Sequence, residues 1–408
     1  MVMRILTLHN RYRQRGGEDE STESEIRLLQ ERGHEVLAYV EDNHAFGQSD
    51  LWQVGLRAVW NGRSYKRVRE LIQSFLPDVI KIHNFFPLLS PSVICAAGHE
   101  GVPVVQALHN FRLLCPAATF YRADAPCESC LGKSFGWPAL LYGCYKDSRP
   151  ATAAVTVMNA SHAAAGTWAR RVSMYVAPSE FTRQKFVEAG FPANKIKVKP
   201  NFLSQDPGIG DGKGGFALFA GRLSAEKGLG TLFQAWKRLS RPVPLKIAGG
   251  GPLQKEVEKR AKTLRDIELL GEQSNDSVWR LMGQAAVTVV PSECYETFGR
   301  VVIEAFAKGL PVIASDRGAL PELVEHGRTG LLFRAGDPED LAAKVDWFLS
   351  HPAEAARMRK EARAEYLAKY TAEKNYQALM EIYESVLAEK QPGRRAVFAA
   401  ARAAGHAG

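Results

Sequence analysis

Val287-Thr-Val-Val-Pro-Ser-Glu-Cys-Tyr-Glu296-Thr-Phe-Gly-Arg-Val-Val-Ile-Glu304-Ala-Phe-Ala-Lys-Gly-Leu-Pro-Val-Ile-Ala314 runs from a short β-branched strand, through a loop and a helix, into a second short strand. Such a unit predicts parallel strands, since two parallel neighbours need a crossover between them, usually a helix. The alternation continues on both sides. Phe216–Ala220, Leu245–Ala248 and Ile267–Leu270 precede Val287–Val290, and Gly330–Phe333 follows Pro311–Ala314, all as strands. Upstream lies an equivalent series: Met3–Leu8, Glu35–Val40, Val79–Ile82, Val104–Leu108, Met174–Ala177 and Ile196–Lys199, with helical patterns at Glu23–Arg32 and Arg63–Phe75 between the early strands. Two doubly wound α/β domains follow, residues 1–205 and 216–371, joined by the Gly-rich run Asp206–Gly215. In such sheets ligands bind outside the carboxyl ends of the strands, so two domains face to face would hold a cleft between those ends.

The joining run also matches G-x-G-x-x-G at Gly210, Gly212 and Gly215. A dinucleotide fingerprint follows a strand and opens a helix, whereas this one precedes a strand, so it reads as an accidental match. Beyond the second domain, Ala372–Lys390 is helical, with Tyr376, Leu379, Ile382, Tyr383 and Val386 on one face. The Ala- and Arg-rich residues 391–408 are expected to fray.

The 408 residues are 46% apolar and 24% charged, values of a globular protein long enough for two cores. No run reaches the roughly 18 apolar residues of a membrane span. The longest candidate, Ala151–Trp168, is interrupted by Asn159, Ser161 and His162 and reads as a buried helix. The N-terminus runs directly into a strand without signal-peptide architecture, so the expected location is cytoplasmic. A net charge of +9, spread through helical patterns without a DNA- or RNA-binding motif, argues against nucleic acid and allows peripheral contact with an anionic membrane face.

The chemistry concentrates in two loops. Glu296 and Glu304 stand eight positions apart across the strand-to-helix transition, the second beside Ala305 and Ala307, where a ligand can approach closely. The amides of Thr297, Phe298 and Gly299 open that helix, a site suited to phosphate. The other loop, Phe219-Ala-Gly-Arg222-Leu-Ser-Ala-Glu-Lys227-Gly228, puts a guanidinium fork and an ammonium point charge at a strand's carboxyl end. Separately, each pattern is usually a solvated surface; together in one domain they point to a diphosphate.

This combination resembles the large retaining glycosyltransferase family of bacterial polysaccharide and lipopolysaccharide enzymes, which has the GT-B architecture of two Rossmann-like domains facing a cleft. Ala248-Gly-Gly-Gly-Pro252 and Ala314-Ser315…Pro321-Glu322 stand in the family's order. The resemblance implies that Arg222 and Lys227 hold the donor diphosphate, Glu304 the ribose hydroxyls and Glu296 the donor sugar. Phe298 and Gly299 would line the same pocket, and the base would lie near Gly271 and Glu272. In the first domain, Gly16-Gly17-Glu18 looks like the family's Gly-Gly loop, lengthened by Arg11–Arg15, and His109 like its cleft histidine. The implied donor is a nucleotide diphosphate sugar, and the implied acceptor a glycan or lipid-linked glycan. The C-terminal helix would cross back onto the first domain. No Asp-x-Asp motif stands near the cleft, so no cofactor is expected for catalysis.

Four cysteines, Cys115, Cys127, Cys130 and Cys144, form C-x11-C-x2-C-x13-C in an aperiodic stretch, residues 110–148. They read either as a structural zinc site or as four reduced structural thiols. Two rival functions remain. A nucleotide-sugar epimerase would need no acceptor, and a basic nucleic-acid module would bind with steep salt dependence.

Overall fold

The structure, a computed structural model, describes residues 2–13, 16–43, 51–262, 264 and 266–389. Part of the Arg-rich stretch before Gly16 and the expected frayed tail, 391–408, lie outside them. The first domain runs β1 (Arg4–Arg11), α1 (Gly17–Glu31), β2 (Glu35–Asp42), α2 (Leu51–Val59), α3 (Gly62–Phe75), β3 (Val79–Asn84), α4 (Ser92–His99) and β4 (Val104–Ala107). The Cys-rich segment follows with a small hairpin, β5 (Tyr121–Arg122) and β6 (Ala125–Pro126), and α5 (Trp137–Tyr142). Then come α6 (Arg149–Ala164), β7 (Met174–Ala177), α7 (Glu180–Glu188) and β8 (Ile196–Val198). The sheet order is β2-β1-β3-β4-β7-β8, with every pairing parallel.

The second domain repeats this plan. It comprises β9 (Ala217–Ala220), α8 (Leu229–Trp236), β10 (Leu245–Ala248), α9 (Gln254–Ala261), β11 (Ile267–Gly271), α10 (Asn275–Gln284), β12 (Val287–Val290), α11 (Arg300–Ala307), β13 (Val312–Ser315), α12 (Leu320–Leu323), β14 (Gly330–Phe333), α13 (Pro338–Ser350) and α14 (Pro352–Lys369). Its order, β11-β10-β9-β12-β13-β14, is again parallel throughout. Helices cover both faces, so the inner strands are buried along their whole length, as in β4 and β12.

Local chemistry sets the element ends. Asn61 caps α3 by accepting from the amides of Arg63 and Ser64, and Leu76 closes it in the left-handed region. α1 begins at Gly17, six residues before the apolar pattern suggests. Its first turn is held by a capping box, in which the Asp19 side chain accepts from the Gly16 amide at 3.0 Å. The Gly-rich run between the domains is tied down rather than free. The amides of Gly210, Gly212 and Gly214 donate to Lys308, Gly283 and Gln284.

The last helix, α15 (Ala372–Glu389), lies on the first domain. Leu379, Ile382, Tyr383 and Val386 are buried against Met3, Ile5, Val79, Val105, Met174 and Val176. His34 meets the Tyr376 hydroxyl at 2.9 Å, and Asn375 Nδ2 donates to Pro200 at 2.9 Å.

Candidate active site

The two loops singled out in the sequence meet at the carboxyl ends of β9 and β12. Gly228, at φ 70°, makes the approach possible, since a Cβ there would lie 1.8 Å from the Pro291 carbonyl oxygen. The Glu226 carbonyl accepts from the Glu293 amide at 2.8 Å, which fixes one loop against the other. Gly318 gives equivalent access on the far side, where the Glu296 carbonyl accepts from the Ala319 amide at 3.0 Å.

Lys227 and Glu296 therefore converge. Lys227 Nζ lies 2.5 Å from Glu296 Oε1, and Ser292 Oγ donates to the same oxygen at 2.6 Å. Burial alone would raise the Glu296 carboxyl, but Lys227 and Ser292 together hold it below the ordinary range. Arg222 is exposed, and its guanidinium has no hydrogen-bond or ion-pair partner among the described residues. Its backbone is framed by the glycine turn that follows β10, with the Leu223 amide donating to Gly250 at 2.9 Å. Glu272 faces the same turn, 3.6 Å from where a Cβ of Gly250 would stand.

Glu304, on α11, pairs with Arg300 Nε at 3.0 Å. Burial pushes its carboxyl above the ordinary value despite that partner. Sequence reasoning missed Arg300. It closes the gap between domains, with Nη1 3.4 Å from Ser21 Oγ and Cδ 3.7 Å from a Cβ placed on Gly17. The Gly16-Gly17 loop thus faces α11. Gly299 caps that helix at φ 95°, leaving the amides at its start without a side-chain cap.

The first domain seats directly on this loop. Thr297 Oγ1 donates to the His109 carbonyl at 2.9 Å, while Ser179 and Thr182 donate to the Thr297 carbonyl at 2.7 and 3.0 Å. The Glu322 carboxylate accepts from the first amides of α7, Glu180 and Phe181, with the former at 2.8 Å. Pro321-Glu322 was legible as a motif, but its role at the start of a helix in the other domain was not. Glu18 Oε2 accepts from Asn110 Nδ2 at 3.2 Å beside Tyr12, and burial pushes Glu18 up to about 8.

Of the two readings of the cysteines, the zinc site is not supported. Cys115, Cys127, Cys130 and Cys144 line one cavity of about 20 Å³, yet among the described residues no three His, Cys, Asp or Glu side chains could hold a metal ion. The loop around them is ordered by other contacts. Arg122 shares the cavity and lies 3.8 Å over the Tyr142 ring, and Cys127 Sγ reaches Ser129 Oγ at 3.4 Å. Phe111 and Phe120, both fully buried, anchor the segment in the core. All six cysteines are free thiols.

The family model for group 1 glycosyl transferases matches residues 205–365, and that for the glycosyl transferase 4-like domain matches residues 16–201. The chain is a group 1 glycosyltransferase of the GT-B fold. A glycosyltransferase of Methanocaldococcus jannaschii is 32% identical over 47% of this chain and 54% of its own length. Glycogen synthase of Mycobacterium tuberculosis is 26% identical over 89% of this chain and 83% of its own length. Among solved structures, HepE of Anabaena in complex with UDP and glucose superposes with a TM-score of 0.68 at 20% identity, covering 94% of this chain and all of that one. The last likeness concerns the fold.

Proposed function

We propose that this glycosyltransferase moves a sugar, with retention of anomeric configuration, from a nucleotide diphosphate sugar to a glycan or lipid-linked glycan acceptor. The observation that carries this reading is the unpaired Arg222 beside the Lys227–Glu296 pair and the uncapped start of α11. These groups supply positive charge and free amides for a leaving diphosphate, the kind of preorganised electrostatic stabilisation that lowers such barriers most. Glu304 receives the ribose hydroxyls, Glu296 those of the sugar, and Glu272 lies toward the base. UDP in the HepE complexes supports a nucleotide donor of this kind.

In the transfer step, the acceptor oxygen bonds to the anomeric carbon on the face from which the phosphate oxygen departs. The acceptor proton passes to that departing oxygen, so no protein base is consumed. Arg222, Lys227 and the helix-start amides neutralise the leaving group, which makes a divalent cation dispensable. Proton NMR of the first product formed tests both points. An α-linked product from an α-linked donor, formed equally well in EDTA, is expected. A β-linked product, or activity lost in EDTA and restored by magnesium, would overturn them.

Contact with an anionic membrane face is the matching proposal for the acceptor side. Among the described residues no helix is long and apolar enough to cross a membrane. α5 leaves Trp137, Leu141 and Tyr142 exposed, with Lys133 5.8 Å from the Trp137 ring and Arg149 donating to the Leu141 carbonyl at 3.2 Å. Aromatic and aliphatic side chains beside cations suit the headgroup region of a bilayer.

A further inference from the structure

Behind His109 lies a buried charge cluster that diphosphate binding leaves unused. Glu25 of α1 is surrounded by Lys81 Nζ at 3.5 Å, His83 Nε2 at 3.3 Å and Lys199 Nζ at 3.3 Å. The four side chains are 1–5% exposed. His9 of β1 stands edge-on to the His83 ring, and the charge of Glu25 is felt at the buried Tyr383 hydroxyl of α15. With His109, the cluster borders a cavity of about 20 Å³, room for one water molecule. Burial by itself would raise the Glu25 carboxyl, but Lys81, Lys199 and His83 more than reverse this and keep it ionised. Burial lowers His83 to about 4 and His109 well below its usual value, so both rings are neutral at neutral pH.

These contacts decide where the ring protons sit. His83 Nδ1 is 3.0 Å from His109 Nε2, and the two rings lie edge to edge and nearly coplanar, with centroids 5.3 Å apart and planes 13° from parallel. A neutral His83 whose Nε2 lies 3.3 Å from an ionised carboxylate, without a formed hydrogen bond, keeps its proton on Nε2, because a lone pair there would stand next to negative charge. Its Nδ1 is then an acceptor, and His109 must carry its own proton on Nε2. That leaves His109 Nδ1 with a lone pair and no protein partner among the described residues. The Thr297 hydroxyl bonded to the His109 carbonyl sets this residue against the donor loop.

We propose that Glu25 and His83 are positioning residues of the transfer reaction, which fix His109 in its Nε2–H form so that Nδ1 can accept, and cannot donate, a hydrogen bond. This rests on the reading of His109 as a contact of the donor sugar. The specificity follows: the site takes a sugar that presents a free hydroxyl to Nδ1. It disfavours one with a carboxylate there, because lone pair would face lone pair and leave buried acceptors unpaired.

Nitrogen-15 spectra of ring-labelled histidine in the whole protein test the assignment, with the His109 signals identified by their loss in His109→Gln. The wild-type protein at neutral pH should show a protonated Nε2 and a bare Nδ1 at His109. In His83→Phe, which keeps a planar ring but not the acceptor, the two tautomers should mix; His83→Gln, which restores an acceptor oxygen, should recover the single form. Glu25→Gln should mix them as well, and His83→Phe suffices where two unneutralised lysines stop that variant folding. With UDP-glucose as donor probe, turnover should fall about tenfold in His83→Phe and recover in His83→Gln, with UDP affinity unchanged. A His109 protonated on Nδ1 in the wild type, or a tautomer indifferent to His83→Phe, reduces the cluster to a structural ion network and overturns the proposal. If instead the tautomers behave as expected and the wild type transfers no sugar, the functional reading fails while the relay stands.

Discussion

Arg222 and Lys227 are expected to hold the same diphosphate, yet their states in the free protein differ, and so should the effects of removing them. A hydrogen bond between charged groups contributes about 1.5–3 kcal/mol, which corresponds to roughly 10–150-fold in affinity. Arg222 is exposed and unpaired, so its contact with a diphosphate is gained in full on binding. Lys227 already lies 2.5 Å from Glu296 and must share or leave that carboxylate to reach a phosphate. Its net gain is the difference between two similar contacts, so the loss in Lys227→Ala should fall near or below the tenfold end. Calorimetric titration of UDP into the two variants should therefore show Arg222→Ala as the weaker binder. Glu296→Gln, which releases Lys227, should bind UDP at least as tightly as the parent while turning over sugar more slowly. Lys227→Ala should also lose stability, since Glu296 is left buried without its cation. The sign of the pH effect follows from the lowered Glu296 carboxyl. Its contribution is present above the ordinary carboxylate range and is lost as pH falls through the lowered value, and the variant should lack that acid-side dependence. A Lys227→Ala variant that binds UDP more weakly than Arg222→Ala, or a Glu296→Gln variant that loses UDP affinity, would refute the reasoning.

Three further outcomes are expected. Nucleotide affinity should fall on acidification through the raised Glu304 carboxyl, because only the carboxylate accepts two ribose hydroxyls; Glu304→Gln should bind weakly with a flat pH profile, and a profile unchanged by that substitution would exclude Glu304 from the site. Leu379→Ala, at a fully buried position of α15, should destabilise the protein by about 2–5 kcal/mol in thermal denaturation, and a loss under 1 kcal/mol would mean that the helix is not anchored as described. Trp137→Ser with Leu141→Ser should abolish co-sedimentation with vesicles containing anionic phospholipid while sparing UDP binding; undiminished sedimentation would place any membrane contact elsewhere.

The inner strands were readable because buried parallel strands are short continuous apolar runs, and all twelve runs named above, the half-exposed edge strands β2 and β11 included, form strands of the two sheets. What escaped has physical reasons. The first turn of α1, Gly17–Glu20, carries no apolar period, since its order comes from a capping box and acidic residues at a helix start. Lys81 and His83 carry no signal of their own in the sequence, because only the fold brings Glu25 and Lys199 beside them. The convergence of Lys227 on Glu296 depends on two turns without a Cβ, which sequence places but does not aim. Cysteine spacing, likewise, brought four thiols around one cavity without directing their sulfurs at a common centre. Partners from opposite domains, such as Glu322 with α7 and Arg300 with Ser21, leave no periodic trace in either segment.

The most direct test of the central claim is a calorimetric comparison of UDP, GDP, ADP and dTDP against the parent protein and the paired variant Arg222→Ala with Glu304→Gln, in buffer with EDTA. One nucleotide should bind the parent with one-to-one stoichiometry, and the paired variant should lose roughly a hundredfold or more in affinity while its fold, followed by circular dichroism, stays intact. No binding by the parent, or equal binding by the variant, would contradict the assignment of a donor site between the two loops of the second domain.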